Sequence, residues 1–342
     1  MSAVGVDISD RSVKYLELGR HSGRRIIRRF GERPIPAGVV EKGNIVATEA
    51  LTGILRDLKK EAQADFIRAS LPEEHAYVFQ IEVPEGTADA ELRTLLEFKL
   101  EEHVPIPVRE AVFDYQVFES HGAPPHREVA VSVYARSIID GYLAAFSAAG
   151  LVPLSLEVEA EALARAVLSA GDAGTHLLVD FGHLRTGIAI VSRGALLFTT
   201  TISIGGEPIS AAVAKHLSLS GAAALRFKNE EGLRHRGNAE FTMALTGAVS
   251  ALRDEVNKHL IYWRTRQDSA GDPMPEVQDL VLCGGSSNLA GLSEYLSGSL
   301  QLPAVVANVW RNVLSFDEEI PPIDRAHSLG FATAVGLALR ER

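Results

Sequence analysis

The sequence predicts a two-lobed α/β protein with a smaller module inserted between the lobes. One pattern occurs twice, in residues 3–30 and again in residues 176–204: a β-prone strand that ends in an aspartate, a turn of small or polar residues, and further strands. Between the two copies, residues 84–150 have the pattern of a helix, two strands and a second helix. With 342 residues, 46% of them apolar, the chain is long enough for more than one compact lobe.

The first lobe is expected in residues 1–85, where strands of alternating polarity surround one amphipathic helix. That helix is predicted at residues 48–62, with Thr48 as its N-cap, because leucines recur on one of its faces. Strands are predicted at residues 3–8, 13–18, 25–30, 66–71 and 76–83.

The inserted module is expected in residues 86–153. Its first helix is predicted at residues 89–104, where four leucines form an apolar stripe and Pro105 and Pro107 prevent continuation. The remaining elements are strands at residues 111–119 and 128–135, and a helix that is capped by Ser137 and ends at Gly150.

The second lobe is expected in residues 174–323, while residues 154–173 and 324–342 return to the first lobe as helices. The first of these returning helices is predicted at residues 157–170. Strands of the second lobe are predicted at residues 176–182, 187–191, 196–204 and 279–283, and a helix at residues 288–300.

Composition and charge exclude several function classes. The formal net charge of −10 argues against a general nucleic-acid binder, because the phosphate backbone would repel such a surface. Cys283 is the only cysteine, so no intrachain disulfide can form. No apolar run approaches the roughly 18–20 residues that a membrane span needs, and we expect a cytoplasmic protein.

One basic stretch, residues 21–29, reverses the acidic balance locally. Its arginines are either solvated side chains of a strand hairpin or part of a surface that faces anionic lipid or an acidic partner. The sequence leaves both interpretations open.

Three short motifs carry the candidate site: residues 6–14, 179–186 and 282–287. In the first two, a tight turn of small polar residues can direct backbone N–H groups at phosphate oxygens. Asp7 and Asp180 end the strands before these turns, where an aspartate can hold Mg²⁺ through water. Lys14 adds a positive charge, and the two glycines of the third motif allow close approach to a base or sugar.

In this order, the motifs resemble the two phosphate loops and the adenosine motif of the actin, Hsp70 and sugar-kinase superfamily. The sequence LLEFKLEEHVPIP at residues 95–107, followed by FDYQV at residues 113–117, is similar to the signature of the PilM family of type IV pilus assembly. Residues 150–165 and 336–340 also resemble that family. The resemblance covers essentially the whole chain and implies an actin-like (ribonuclease H-like) fold with a PilM-type insert, called subdomain 1C.

The resemblance implies that ATP and Mg²⁺ bind in the cleft between the lobes. The residues expected to contact the nucleotide are Asp7, Ser9, Arg11, Ser12, Lys14, Asp180, Gly182, Arg185, Thr186, Gly205, Gly206, Arg226, Gly284, Gly285 and Ser286. Asp7 and Asp180 would hold Mg²⁺ through water. Glu159 has the family position nearest a water-activating role; the alternative is an exposed or capping glutamate.

The family also implies partners. The cytoplasmic N-terminal peptide of PilN, a protein with one membrane span, would bind in a groove between subdomains 1A and 1C, with the helix at residues 91–103 and its neighbouring strands lining part of it. Subdomains 2A and 2B would form the second lobe. Other pilus assembly proteins are further expected partners, self-association is open, and the protein would associate peripherally with the bacterial inner membrane through them.

The chain departs from the family in the nucleotide site. Ser9 replaces a glycine, Asp10 and Arg11 replace small residues, and His183, Leu184 and Arg185 replace an alanine and threonines. Beside a polyphosphate, Asp10 must point away or pair with Arg11. Arg185 either reaches phosphate or fills an unused cleft.

Near the adenosine, the family's acid appears as alanine and its lysine as Arg226. We therefore expect the scaffold to be retained and nucleotide binding or turnover to be weakened, leaving at most a weak ATPase. The alternatives are a small-molecule kinase on the same fold, a filament-forming protein such as FtsA, or a scaffold of type II secretion or a related pilus-like system.

Overall fold

The computed structural model describes residues 3–119, 126–235, 239–267, 271–317 and 319–340. Its first elements are β1 (Val4–Ile8), β2 (Ser12–His21), β3 (Arg24–Pro34), the short pair β4 (Val40–Glu41) and β5 (Asn44–Ile45), helix α1 (Thr48–Ala62) and β6 (Phe66–Leu71). Strands β1–β3 form an antiparallel meander, as predicted. The N-cap of α1 is Ala47 and not Thr48, and no side chain caps this end.

The insert contributes β7 (Tyr77–Pro84), α2 (Asp89–His103), β8 (Ala111–Glu119), β9 (His126–Ala135) and α3 (Arg136–Ala148). The three strands form an antiparallel sheet in the order β7-β9-β8, and the leucine stripe of α2 packs on one of its faces. The N-cap of α3 is Ala135 and not Ser137. The predicted loop at residues 122–125 lies outside the described residues.

Two elements do not follow the predicted boundaries of the insert at residues 86 and 153. Strand β7 precedes residue 86 but pairs with β9 of the insert. Helix α3 precedes residue 153 but buries Tyr142 and Phe146 in the core of the first lobe. Alternating polarity identifies a strand or a helix face without identifying its partner, so the boundaries could not follow from the pattern alone.

Strand β10 (Val152–Val158) and helix α4 (Glu159–Val167) come next. The sequence predicted a helix over residues 157–170, whereas residues 157 and 158 end a strand that pairs in parallel with β6. Apolar residues at positions 152, 154, 156 and 158 are the signal for this strand. The first sheet therefore has the order β10-β6-β1-β2-β3.

The second lobe contains β11 (Thr175–Phe181), β12 (Thr186–Ser192), β13 (Ala195–Ile202), α5 (Glu207–Leu217), α6 (Gly221–Glu230), α7 (Ala239–Thr265), β14 (Asp279–Cys283), α8 (Leu292–Leu300) and β15 (Ala304–Val306). Its sheet has the order β13-β12-β11-β14-β15, the same topology as the first. This equivalence confirms the predicted repeat.

The repeat extends to the hairpin turns. Ser22 and Gly23 join β2 to β3 with φ of +51° and +83°, and Arg193 and Gly194 join β12 to β13 with φ of +52° and +77°. Positive φ at both central residues is the geometry whose twist matches that of the flanking strands. Each lobe thus closes its meander with the same kind of turn.

The chain ends in α9 (Arg325–Ser328) and α10 (Ala332–Leu339), and α10 packs against α4 and β1 of the first lobe. Gly336 lies against the backbone of Ala162, and Gly5 lies against the backbone of Ala334, with no space for a Cβ at either glycine. These contacts seat α10 in the first core. No helix in the described part of the chain is long and apolar enough to cross a membrane.

Candidate functional site

Two turns face each other across the cleft between the lobes: residues 9–11, after β1, and residues 182–185, after β11. With Glu73, Glu74 and Glu159 they line a cavity of about 110 Å³. The structure therefore brings together the two predicted phosphate loops. The cavity is well below the roughly 300 Å³ at which small-molecule pockets begin.

Ser9 fills the first turn with its own side chain. Its Oγ lies 3.1 Å from the backbone N of Ser12 and 3.4 Å from that of Arg11, and it donates to the carbonyl of Ser12 at 3.1 Å. These N–H groups are the ones that the sequence assigned to phosphate. The serine that replaces the family's glycine has become their acceptor.

Arg185 crosses the cleft from the second turn. One guanidinium nitrogen lies 2.8 Å from Oδ1 of Asp10, and the other contacts Glu74. Asp10 also accepts the backbone N–H groups of Lys42 and Gly43, at 3.0 and 3.1 Å. Of the two alternatives for Asp10, pointing away or pairing with Arg11, the structure shows neither simple case, because Asp10 pairs with Arg185 across the cleft.

Buried carboxyl groups surround this bridge. Ser70 donates to Asp7 at 2.9 Å, and burial raises the pKa of Asp7 while the charge of Lys14 lowers it. Burial and the nearby Asp7 carboxylate raise the pKa of Asp180 to about 6. Asp7 and Asp180 are thus close enough to interact, as the magnesium hypothesis requires. Among the described residues, no group of three or more His, Cys, Asp or Glu side chains is arranged to hold a metal ion.

Two glutamates in the cleft also have raised pKa values. Burial, helped by the charge of Asp180, raises the pKa of Glu73 to about 8. Burial raises the pKa of Glu159 well above its usual range, with Asp7 and Glu73 adding to the rise. Glu159 thus lies in the wall of the cavity, and its water-activating role stays a prediction.

The adenosine side of the cleft contains a lysine that the sequence analysis missed. Lys228 on α6 is 3% exposed, and its Nζ donates to Ser210 Oγ at 3.3 Å. Gly206 packs against Lys228 and Ser286 without space for a Cβ. Arg226 lies exposed on the same helix, and its assignment to the nucleotide site stays a prediction. Ala224 and Lys228 are four positions apart and both buried, so they share one face of α6, and Lys228 is a second candidate for a cation at this site.

The remaining predicted residues have local roles. Gly284, at φ +80°, lies against the carboxylate of Asp180, and Gly205 lies against the backbone of His183. Lys14 donates to Ser12 at 3.0 Å, and the buried Thr186 donates to the carbonyl of Ile204 at 2.6 Å. Three further predicted positions are Gly182, whose N–H closes the second turn onto Arg185, the exposed Arg11, and Gly285, next to which space is open.

The cleft therefore fits a nucleotide only in part. On the side expected to hold the base and sugar, Lys228 supplies a buried cation, and the backbone is tightly packed at Gly206 and Gly284. On the phosphate side, Ser9 accepts the donors of the first turn and Arg185 is paired with carboxylates. A triphosphate with Mg²⁺ does not fit this side as it stands.

A second recess runs along β8 on the face of the insert sheet opposite α2. Two adjoining cavities of about 310 and 480 Å³ share Gln116, Glu161 and Arg165 in their lining, and β8 is the edge strand of its sheet. We call these two cavities the β8 groove. The sequence analysis expected α2 and its neighbouring strands at a peptide groove; β8 is one of these strands, whereas α2 packs on the other face of the sheet.

Charged side chains of the first lobe form one wall of the β8 groove. Arg165 donates to both carboxylate oxygens of the buried Glu157, at 2.9 and 2.6 Å, and Arg340 donates to it at 2.9 Å. Ser132 donates to Glu161 at 2.9 Å, while burial raises the pKa of Glu161 to about 7. The wall thus presents fixed arginines beside a carboxyl group that titrates near neutrality.

The predicted basic stretch forms the hairpin of β2 and β3. Arg28 and Arg29 pair with the buried Glu17, at 3.7 and 3.0 Å. Arg24 and Arg25 line a surface cavity of about 440 Å³ that adjoins the β8 groove, since both recesses include Arg25 in their lining. Part of the stretch is therefore paired within the fold, and part borders the groove.

The chain is similar to one known protein family along almost its whole length. The family model for the type IV pilus assembly protein PilM matches residues 5–342. The solved PilM-PilN type IV pilus biogenesis complex contains a chain that is 22% identical, with a TM-score of 0.77 over 99% of this chain and 98% of that one.

Two other solved structures share the fold more distantly. The ethanolamine utilization protein EutJ from Carboxydothermus hydrogenoformans is 18% identical, with a TM-score of 0.58 over 99% of this chain and 89% of that one. MreB 5 of Spiroplasma citri, bound to AMPPNP, is 14% identical, with a TM-score of 0.55 over 98% and 94%. These likenesses confirm the actin-like fold. Since the family model covers nearly all of the sequence, the chain belongs to the PilM family of type IV pilus assembly proteins.

Proposed function

We propose that this chain is an actin-like scaffold of type IV pilus assembly that binds the cytoplasmic N-terminal peptide of a PilN-like inner-membrane protein in the β8 groove. The observation that supports this location most strongly is the free edge of β8 beside two open cavities. The protein would then be held at the cytoplasmic face of the inner membrane through its partner.

An extended peptide suits the β8 groove because an edge strand has unpaired backbone donors and acceptors along its length. Among the described residues, β8 pairs with β9 alone, over a length of nine residues. A peptide that pairs with such an edge gains affinity from its main chain, and side-chain pockets then supply specificity. The cavities on either side of Gln116 are of the right kind for such pockets.

The groove wall favours a peptide with polar or acidic groups. Glu157 fixes Arg165 and Arg340 in place, so the guanidinium groups are pre-organised before a ligand arrives. Both side chains remain about 30% exposed, which leaves them within reach of a ligand. Pre-organised donors reduce the entropy that binding must remove.

The proposal is tested by titrating the chain with a labelled peptide that carries the N-terminal cytoplasmic segment of the PilN-like protein, followed by fluorescence anisotropy. We expect Gln116→Trp to fill the junction of the two cavities and weaken binding about tenfold or more, equivalent to about 1.4 kcal/mol.

The matched control is Phe98→Ala, which removes a side chain that is 65% exposed on α2, the helix that the sequence analysis favoured. We expect this change to leave peptide affinity within about twofold. If Phe98→Ala abolishes binding and Gln116→Trp does not, the peptide binds along α2 and the proposed location is wrong.

A further inference from the structure

We propose that this chain holds its interlobe cleft together with its own side chains, in the place where a phosphate chain would otherwise join the two lobes. The contacts responsible are those of Arg185 with Asp10 and Glu74, which we call the cross-cleft bridge. The inference concerns the cleft and does not depend on where the peptide binds.

The cross-cleft bridge joins the two lobes directly. Asp10 follows β1, and Glu74 lies in the short helical turn Glu73–His75 after β6, so both belong to the first lobe. Arg185 lies in the turn between β11 and β12 of the second lobe. One guanidinium group therefore bonds to two separate segments of the opposite lobe.

The carboxylate of Asp10 in the bridge is also held by hydrogen bonds within its own lobe. Asp10 accepts the N–H groups of Lys42 and Gly43 in the β4–β5 turn, and the ring of His75 lies 3.1 Å from the carbonyl of Lys42. The side chains of Arg185, Asp10 and Glu74 are 19%, 13% and 17% exposed. An ion pair this sheltered is much less screened by salt than a surface pair, and loss of one partner leaves the other partly buried and unpaired.

A bound triphosphate and the cross-cleft bridge exclude each other. The bridge crosses between the two turns that a phosphate chain would have to enter, and only about 110 Å³ is open there. Ser9 already accepts the N–H groups of the first turn. A phosphate would have to displace Ser9 from these donors and draw Arg185 away from two carboxylates, with the buried Asp7 and Asp180 adding repulsion.

The first experiment rebuilds the phosphate site. We expect the wild-type chain to show no heat of binding with magnesium-ATP at millimolar concentration. The triple variant Ser9→Gly, Asp10→Ser and Arg185→Thr restores small residues at these turns and should bind magnesium-ATP at least tenfold more tightly than the wild type in isothermal titration calorimetry. Micromolar binding by the wild type would overturn the inference.

The second experiment tests the bridge itself by limited proteolysis of the interlobe segments in the absence of nucleotide. Arg185→Gln should open the cleft and raise the cleavage rate severalfold. The matched control is Arg234→Gln, which breaks an exposed pair with Glu294 on the second lobe and should leave the rate unchanged. Equal cleavage of the wild type and both variants would show that the bridge does not hold the lobes.

A double-mutant cycle distinguishes a direct interaction from general loss of stability. Asp10→Asn and Arg185→Gln should each increase cleavage, and the double variant should be no worse than the worse single variant. Additive effects would contradict the bridge. Peptide titration of the same variants reports separately on the β8 groove, so failure of one proposal is not mistaken for failure of the other.

Discussion

The interlobe cleft and the β8 groove are both recesses bordered by charged side chains, yet the cleft has only about 110 Å³ of free volume, against about 310 and 480 Å³ in the two cavities of the groove. In the cleft, the opposite charges come from opposite walls, Arg185 from the second lobe and Asp10 from the first. In the β8 groove, Glu157 and its arginines all belong to the first lobe. The pair in the cleft joins two lobes across a small volume, whereas the pairs of Glu157 stiffen one wall beside a larger volume that is free for a ligand.

The largest change in stability should come from a substitution at Gly284, where the backbone of the cleft is tightly packed. Gly284→Ala would place a Cβ against the carboxylate of Asp180 and the backbone of Phe181, at a φ of +80°. We expect a loss of about 3 kcal/mol in the free energy of unfolding, from overpacking and left-handed strain together. Urea unfolding checks this, with Gly298→Ala, which has open space around it, as the control. The control should lose no stability, since alanine favours a helix more than glycine, and a loss of less than about 1 kcal/mol in Gly284→Ala would mean that the second lobe adjusts easily at this point.

A smaller effect is expected at the wall of the β8 groove. Glu157→Gln keeps the shape of the side chain but removes the charge that Arg165 and Arg340 share. Both arginines are about 30% exposed, so water can partly solvate the guanidinium groups that lose their carboxylate. We therefore expect the free energy of unfolding to fall by about 2 kcal/mol.

The same variant should weaken peptide binding by roughly tenfold, since the two arginines lose their anchor. Anisotropy with the labelled peptide measures this, and thermal unfolding measures the stability term separately. Unchanged peptide affinity in a folded Glu157→Gln variant would remove the arginines from the binding surface and weaken the contrast with the cleft.

The pH dependence of stability should distinguish the cleft from an ordinary surface. Burial raises the pKa of Glu73 from 4.5 to about 8 and that of Asp180 from 3.8 to about 6. Below the unfolded-state values these groups are protonated in both states, and as pH rises the folded state resists losing their protons. Stability should therefore fall as pH increases from about 4 toward 8.

Chemical denaturation at pH 5 and pH 8 measures this slope, and Glu73→Gln should reduce it. The side chain of Glu102, which is about half exposed, offers a control, because Glu102→Gln should leave the slope between these pH values unchanged. A wild-type chain that is equally stable at both values would show that the cleft carboxyl groups are compensated by charges in the folded protein.

The smallest effect should be that of Ser9→Gly alone. It removes the acceptor for the N–H groups of Arg11 and Ser12, but water reaches this partly exposed turn, so we expect stability to change by less than about 0.5 kcal/mol. Thermal unfolding checks this, with Ser22→Gly in the β2–β3 turn as the comparison. A loss well above 1 kcal/mol would mean that Ser9 supports the turn and is not merely an occupant of it.

Much of the fold was predictable because it depends on local periodicity. Alternating residues identified the meanders of both lobes, and the aspartate that ends β1 and the one near the end of β11 indicated their equivalence. The sheet to which β7 belongs was not predictable in this way, since a strand of alternating polarity can pair in either sheet. Strand β10 had the correct apolar spacing but was obscured by the helical pattern that begins at Glu159.

The candidate site was predictable only where it depends on sequence neighbours. The two turns and the strand-ending aspartates lie where the motifs placed them. The partner of Asp10 lies 175 positions away in Arg185, and no local pattern relates the two. The face of the insert sheet that borders the β8 groove likewise depends on which side α2 covers, which is decided by tertiary packing.

The last helix touches both recesses. Just before α10, the carbonyl of Leu329 accepts the N–H of Gly284 at the back of the cleft, and just after it Arg340 lies in the wall of the β8 groove. The eight residues of α10 span about 12 Å and are packed without slack where Gly336 meets α4. We therefore expect α10 to act as a rigid rod within the first lobe, so that Arg340 keeps its place in the groove wall when the second lobe moves.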